Sequence, residues 1–332
     1  NMVVCGGGAW GYALVTFVGR RTLNDRKFHN SSLSLYDPSE ELMATLADTR
    51  ERPEFEGTRL PKNVFPTSDS MEAFRKANDI IVAVPPSEAG PLFKTIFSLA
   101  GDLRSIILAS RGFDPLSHRL TIQIAWEAAA SAGKPDVRVL ALSGPFLPED
   151  LVGDKGGNFI LAGEAADGKM EEASLFKFGK FKVSLSHDPL GVQVAAALAD
   201  AYALYGAHLD VHREIREPEA IAKFATEVSR EAKLLAIALG ATPSVFDSDS
   251  PAWLTEFICD FLSADRHHTV RIAVQKGPEA LRAYLANKDR KEDWPDRGLT
   301  GYHSIKSAHL LAKHLGLRLK HMERAHKIFW GT

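Results

Sequence analysis

The chain has 332 residues, 45% of them apolar and 25% charged, enough for two domains and a large globular core. A net charge of −2 offers no basic footprint for nucleic acid, and no apolar run approaches the ~18 residues that cross a bilayer. Two cysteines, Cys5 and Cys259, support neither a disulfide framework nor a metal knot, so the expectation is a cytoplasmic protein without signal peptide, membrane, nucleic-acid partner or metal.

The first predicted element is a strand, Met2 to Cys5, and it runs straight into Gly6-Gly7-Gly8-Ala9-Trp10-Gly11. This is G-x-G-x-x-G between a strand and a helix that starts at Tyr12 and runs to about Arg20. Gly6 allows a tight turn, Gly8 lets the main chain approach a pyrophosphate, and Gly11 lets the helix pack close to the sheet. The free N–H groups of the helix start complete a phosphate cradle. A second strand, Ser32 to Tyr36, ends in Asp37, placed to accept hydrogen bonds from the hydroxyls of an adenosine ribose. Asp37 lies roughly ten residues beyond the usual ~20, and the polar stretch Arg21 to Asn30 absorbs the excess. A carboxylate there repels a 2′-phosphate, so the expected cofactor is NAD. The competing reading of Asp37 is a cap for the helix that Pro38 to Leu46 forms.

Further strands are predicted at Ile80–Val84, Ser105–Leu108, Val137–Leu142, Asn158–Ala162 and Lys182–Leu185, with helices between them such as Leu120–Ala132. That alternation predicts a parallel, doubly wound sheet with ligands at the carboxyl ends of its strands. Breakers follow those ends: Pro85-Pro86, Arg111-Gly112 and Gly144-Pro145. From Leu190 on, strand signals fade and long helical patterns take over at Leu190–Leu209, Pro218–Leu239 and Ser304–Leu315. The expected fold class is therefore α/β, a Rossmann-like dinucleotide-binding domain over residues 1–187 and an all-helical domain over 188–332.

Several strings resemble NAD-dependent glycerol-3-phosphate dehydrogenases, in order and spacing, over nearly the whole chain. They are the glycine loop with Ala9-Trp10, Leu60-Pro61-Lys62-Asn63-Val64 with Thr67, Ile80 to Pro85, Leu142-Ser143-Gly144-Pro145, Asp188-Pro189-Leu190-Gly191-Val192, Leu235 to Ala241 and Leu299 to Lys306. The resemblance implies a Rossmann-like domain followed by a helical substrate-binding domain (188–332), NAD as cofactor, and a homodimer. It places Gly6, Gly8, Ala9, Trp10, Gly11, Asp37 and Pro85 on the cofactor side and Gly144 on the substrate side.

The chemistry departs from that family. Its catalytic lysine, in a Leu-Lys-Asn string, falls at Ala199 of Leu198-Ala199-Asp200, and alanine has no proton to give. Its second lysine falls at Arg111, which keeps a charge and cannot act as a base. The serine after its Gly-Pro falls at Phe146, its helical-domain acid at about Leu254, its Arg-Asn pair at Arg266-His267, and a late glutamate at Thr300. The cofactor half is intact and the substrate half altered, which implies a dehydrogenase with a changed, small and anionic substrate, a carbonyl or an imine from a specialised pathway.

Asp200 is the candidate general acid, since a desolvated carboxyl has its pKa raised toward neutrality. Against this stands a surface or salt-bridged aspartate. Arg111 is the candidate partner for a substrate carboxylate or phosphate, and Arg266 with His267 and His268 a second anion site, against a plain helix end. Tyr202 reads more simply as core than as proton donor. Lys223, Glu227 and Glu231 read as a solvated or ion-paired face, and tryptophans 253, 294 and 330 as core. Two alternatives stay open: true glycerol-3-phosphate dehydrogenase activity with Lys223 as substitute base, and a catalytically silent nucleotide-binding protein.

Overall fold

The computed structural model describes residues 1–28, 32–163, 172–247, 250–263, 268, 270–272, 275–277, 279 and 301–331. Among these the chain divides into two units, the first formed by 1–110 with 119–193 and the second by 111–118 with 194–332. The short segment Arg111–His118 thus leaves the first unit and packs with the helical one.

The first unit is an eight-stranded sheet. Its strands are β1 (Met2–Cys5), β2 (Leu33–Tyr36), β3 (Val64–Thr67), β4 (Asp79–Val82), β5 (Ser105–Leu108), β6 (Arg138–Ser143), β7 (Gly157–Ala162) and β8 (Phe181–Ser186), and their order is β3-β2-β1-β4-β5-β6-β7-β8. The order reverses direction at β1/β4, the switch point at which open α/β sheets bind ligands. Two features differ from the sequence reading. β3 is an additional edge strand, hidden in the sequence because Pro66 sits inside it, which only an edge position tolerates. The sheet is also not wholly parallel: β7 pairs antiparallel to β6, Ala141 opposite Ala162, and β8 then follows β7 in parallel.

Helices α1 (Ala9–Leu23), α2 (Glu40–Thr49), α3 (Ser70–Phe74), α4 (Pro86–Leu99), α5 (Thr121–Ser131), α6 (Pro148–Val152) and α7 (Ala173–Phe176) belong to this unit. Its core joins Val4, Leu35, Ile81 and Ile107 of the sheet to Leu14 and Phe17 of α1. Phe17 meets Phe181 edge-on at 5.1 Å, which fastens α1 to the β7–β8 end of the sheet.

The second unit is helical among its described residues: α8 (Pro189–Val211, entering it at Val194), α9 (Pro218–Ala238), α10 (Leu254–Phe261), α11 (Tyr302–His314) and α12 (Lys320–Trp330). Contrary to the sequence reading, α8 is by length and composition long and apolar enough to cross a membrane, but 94% of its most apolar window is buried inside the protein. Its run of alanines permits that close packing, and the backbone of Gly301 lies so near Asp200 that a Cβ there would stand 2.1 Å from the Asp200 carbonyl oxygen. Trp253 stacks on Phe257 at 5.6 Å and meets Tyr202 edge-on, as expected of core aromatics. The Tyr202 hydroxyl donates to Glu231, 3.0 Å away. Glu231 also accepts the backbone N–H groups of His321 and Met322, capping the start of α12, so it is a structural anchor rather than a solvated charge.

Candidate functional site

The glycine turn is built by backbone geometry. Gly6 has φ +108°, open to glycine and strained for other residues, and a Cβ on it would lie 2.8 Å from the Ala83 carbonyl oxygen at the end of β4. A Cβ on Gly11 would come within 1.8 Å of the Gly6 carbonyl oxygen, so α1 can start here only with glycine at that position. At Gly8 the opposite holds: among the described residues, its chain neighbours aside, no atom lies within 4 Å of where its Cβ would stand. Gly8 is the N-cap of α1, whose first turn has no acidic residue and whose last turn carries Arg20 and Arg21. An uncovered glycine at the positive end of a 15-residue helix is a cradle fit for a diphosphate.

Two side chains hold the turn from either side. Asp37 accepts the Gly7 N–H at 2.8 Å through Oδ2 and the Ser39 N–H at 3.0 Å through Oδ1. The cap of α2 is Ser39, whose Oγ accepts from Leu42 N–H, so Asp37 is not the helix cap of the competing reading. Arg52 donates through Nη1 to the Gly7 carbonyl, with its Nε and Nη2 bound in parallel to the Glu54 carboxylate at 3.0 and 2.7 Å. Burial, and after it the charge of Asp37, pushes the Glu88 carboxyl above its ordinary range.

Trp10 donates its ring N–H to the Ala109 carbonyl at 3.0 Å, linking α1 to the end of β5. Pro85 is the N-cap of α4 just after β4, and the adjoining Val84 carbonyl accepts from Ser110 Oγ at 2.6 Å. Gly144 is covered by Phe146: a Cβ on it would sit 2.2 Å from the Phe146 ring. That ring belongs to a cluster with Trp10, Phe159 and Phe181.

In the helical unit, side chains do the building. Nη2 of Arg111 lies 2.5 Å from Glu256 Oε1, 2.8 Å from Asp260 Oδ2 and 3.4 Å from Asp200 Oδ1. All three acids are buried, with Glu256 fully so. Burial alone would discourage the guanidinium charge, but the three carboxylates overcome it and lift its pKa above the ordinary arginine value. The Arg111 Nε is buried without a hydrogen-bond partner among the described residues.

The sequence reading singled out Arg111 as an anion binder and Asp200 as a general acid and passed over Glu256 and Asp260; in the structure Arg111 is engaged by acids of its own chain and Asp200 is ion-paired to it, as the competing reading had it. The nearest of the three acids to Arg111 is Glu256, two positions beyond exposed Leu254. The available signal was a pair of acids four apart on α10, one helix face, between Phe257 and Phe261. Ala199 is fully buried and Lys223 is exposed on α9. Arg266, His267, Thr300 and Trp294 lie outside the described residues, and His268 is exposed. Among the described residues no group of three or more His, Cys, Asp or Glu is arranged to hold a metal ion.

A switch-point sheet with an open glycine cradle at its first helix defines a Rossmann-like, dinucleotide-binding α/β fold. Residues 1–166 match the model of the NAD-dependent glycerol-3-phosphate dehydrogenase N-terminus, and the chain belongs to that family. Its cofactor is accordingly a nicotinamide dinucleotide, NAD(P).

The glycerol-3-phosphate dehydrogenase [NAD(P)+] of Legionella pneumophila (strain Lens) is 24% identical over 208 residues, 61% of this chain and 58% of the relative. This match therefore spans less than two thirds of that relative's length. The enzyme of the same name from an Exiguobacterium is 22% identical over 99% of this chain and 91% of its own. Among solved structures, glycerol-3-phosphate dehydrogenase of Coxiella burnetii superposes with a TM-score of 0.82 at 16% identity, covering 99% of this chain and 94% of that one. The yeast enzyme gives 0.80 at 15% identity, over 100% and 96%. At such identities the likeness establishes the fold.

Proposed function

We propose that the protein is an NAD(H)-dependent oxidoreductase whose substrate site differs from that of its relatives, moving hydride to or from a small polar carbonyl or imine. The observation that carries this reading is the Arg111 cluster, in which Asp200, Glu256 and Asp260 surround a guanidinium while Ala199 stands where the resemblance expects a lysine.

The cradle of Gly6, Gly8, Ala9, Trp10 and Gly11 is assigned to the diphosphate, Asp37 to the ribose hydroxyls, and Pro85 to the same cofactor. Bound NAD(H) supplies or accepts the hydride. When substrate carbon gains hydride, its oxygen or nitrogen must gain a proton, and Asp200 is assigned that exchange. Arg111 stays charged, so it orients Asp200 and offsets negative charge without acting as a base. Gly144, Arg266 and His267 are assigned to the substrate, taken to be anionic. The same reading includes a cytoplasmic homodimer serving a specialised pathway, and sedimentation equilibrium gives its mass.

The test is NADH oxidation with dihydroxyacetone phosphate, keto acids and imines. We expect slow or no turnover of dihydroxyacetone phosphate and turnover of another member. Asp200→Asn should then lower kcat by about 100-fold with NADH binding retained. Brisk reduction of dihydroxyacetone phosphate overturns the altered site. Silence across the panel with NADH bound favours a nucleotide-binding protein without turnover.

A further inference from the structure

The glycine turn carries two charged side chains, Arg52 and Asp37, that phosphate binding does not need. Arg52 donates to the Gly7 carbonyl while Asp37 accepts the N–H of that same residue, so guanidinium and carboxylate flank one glycine. The connection that carries Arg52 is fixed in place. Tyr12 stacks on Phe55 at 5.5 Å, its hydroxyl lies 2.7 Å from the Thr58 carbonyl, and Arg50 donates to the carbonyls of Leu60, Pro61 and Val64. Arg52 is largely shielded, whereas Glu54 is exposed.

In this fold the carboxylate ending the second strand meets the ribose 2′-hydroxyl, and an arginine nearby accommodates a 2′-phosphate. Here both groups are present on one glycine, and the arginine is engaged. A guanidinium fork binds a carboxylate and a phosphate through the same pair of parallel N–H groups, so it cannot serve both at once. The charges facing this end of the turn are Arg52 against Asp37, Glu54 and Glu88.

We propose that Glu54 sets the choice of dinucleotide, its carboxylate occupying the Arg52 fork that would otherwise receive a 2′-phosphate beside Asp37. Arg52 is then a latent NADP site, held closed by a carboxylate two residues away. The inference concerns the first unit alone and stands or falls independently of the substrate.

The experiment measures Kd for NADH and NADPH by fluorescence, and for 5′-ADP and 2′,5′-ADP by calorimetry, in wild type, Glu54→Gln, Glu54→Ala and Arg52→Met/Glu54→Gln. Glu54 is exposed, and melting curves verify that each variant is folded. Freeing the fork should lower the NADPH-to-NADH Kd ratio about tenfold in both Glu54 variants, with the same trend for 2′,5′-ADP over 5′-ADP. Removing Arg52 as well should abolish that gain. A ratio unmoved in both Glu54 variants overturns the proposal. A gain that persists without Arg52 also overturns it, because relief of general repulsion would then be the cause.

Discussion

The two units build their functional groups by different means. In the sheet unit the decisive atoms belong to the backbone: a positive φ at Gly6, a helix start with no Cβ at Gly8, and close contact at Gly11. In the helical unit they are side-chain charges, brought to Arg111 from α8 and α10. A backbone cradle has few solutions, and nearly any change to it shows as lost fold or lost binding. A charge cluster can be rebuilt one residue at a time while its helices keep packing. On the proposed reading, this is how a cofactor half would stay recognisable while a substrate half diverged.

Glycine substitutions break the comparison most severely. Gly11→Ala puts a methyl against the Gly6 carbonyl, and with both partners in the backbone nothing flexible can yield. The cost should be at least about 4 kcal/mol, read as insoluble protein or a collapsed urea midpoint. Gly8→Ala adds the same methyl to open space at an extended N-cap (φ −63°, ψ 175°). It should melt within about 2 °C of wild type, yet bind NADH about tenfold more weakly, because the methyl stands where the diphosphate would rest. Normal NADH affinity in Gly8→Ala would remove the cradle from the account.

Arg111→Met sharpens the other side. It strips a guanidinium from three buried carboxylates, and breaking such a buried pairing costs about 3 kcal/mol or more. Arg111→Lys keeps the charge and should recover most of that loss in urea denaturation. Equal stability of the two variants would mean that the cluster is held by packing rather than by charge.

What could be read from the residues follows the same division. The strand–glycine–helix start, the alternation of strands with helices and the change to helices near residue 190 depend on local periodicity and turn chemistry, both visible in a window of a dozen residues. β3 escaped because Pro66 counts against a strand until the strand is known to lie at an edge. The reversal at β7 escaped because strand patterns have no direction. Glu256 and Asp260 escaped because their meaning comes from Arg111, about 145 positions earlier in the chain, and no local window contains that pairing. Asp37 was legible as a carboxylate at the end of β2, whereas its bond to the Gly7 N–H became visible only once β2 lay beside β1.

The smallest expected effect tests whether charge also governs the helical unit away from the cluster. His208 on α8 lies 4.4 Å from the His212 ring, with Glu214 and Arg324 nearby. Burial first, then the neighbouring His212, pushes its pKa from the ordinary 6.5 down to about 4. The folded protein therefore holds His208 neutral where the unfolded chain already binds a proton. Its contribution to stability is complete above about pH 6.5 and is lost as pH falls toward about 4. For a shielded group this shift would amount to about 3 kcal/mol, and partial exposure reduces it to about 1 kcal/mol. His208→Gln removes the proton uptake, so its urea midpoint should fall less than that of wild type between pH 7 and pH 4.5. Parallel losses in the two proteins would place the acid sensitivity elsewhere.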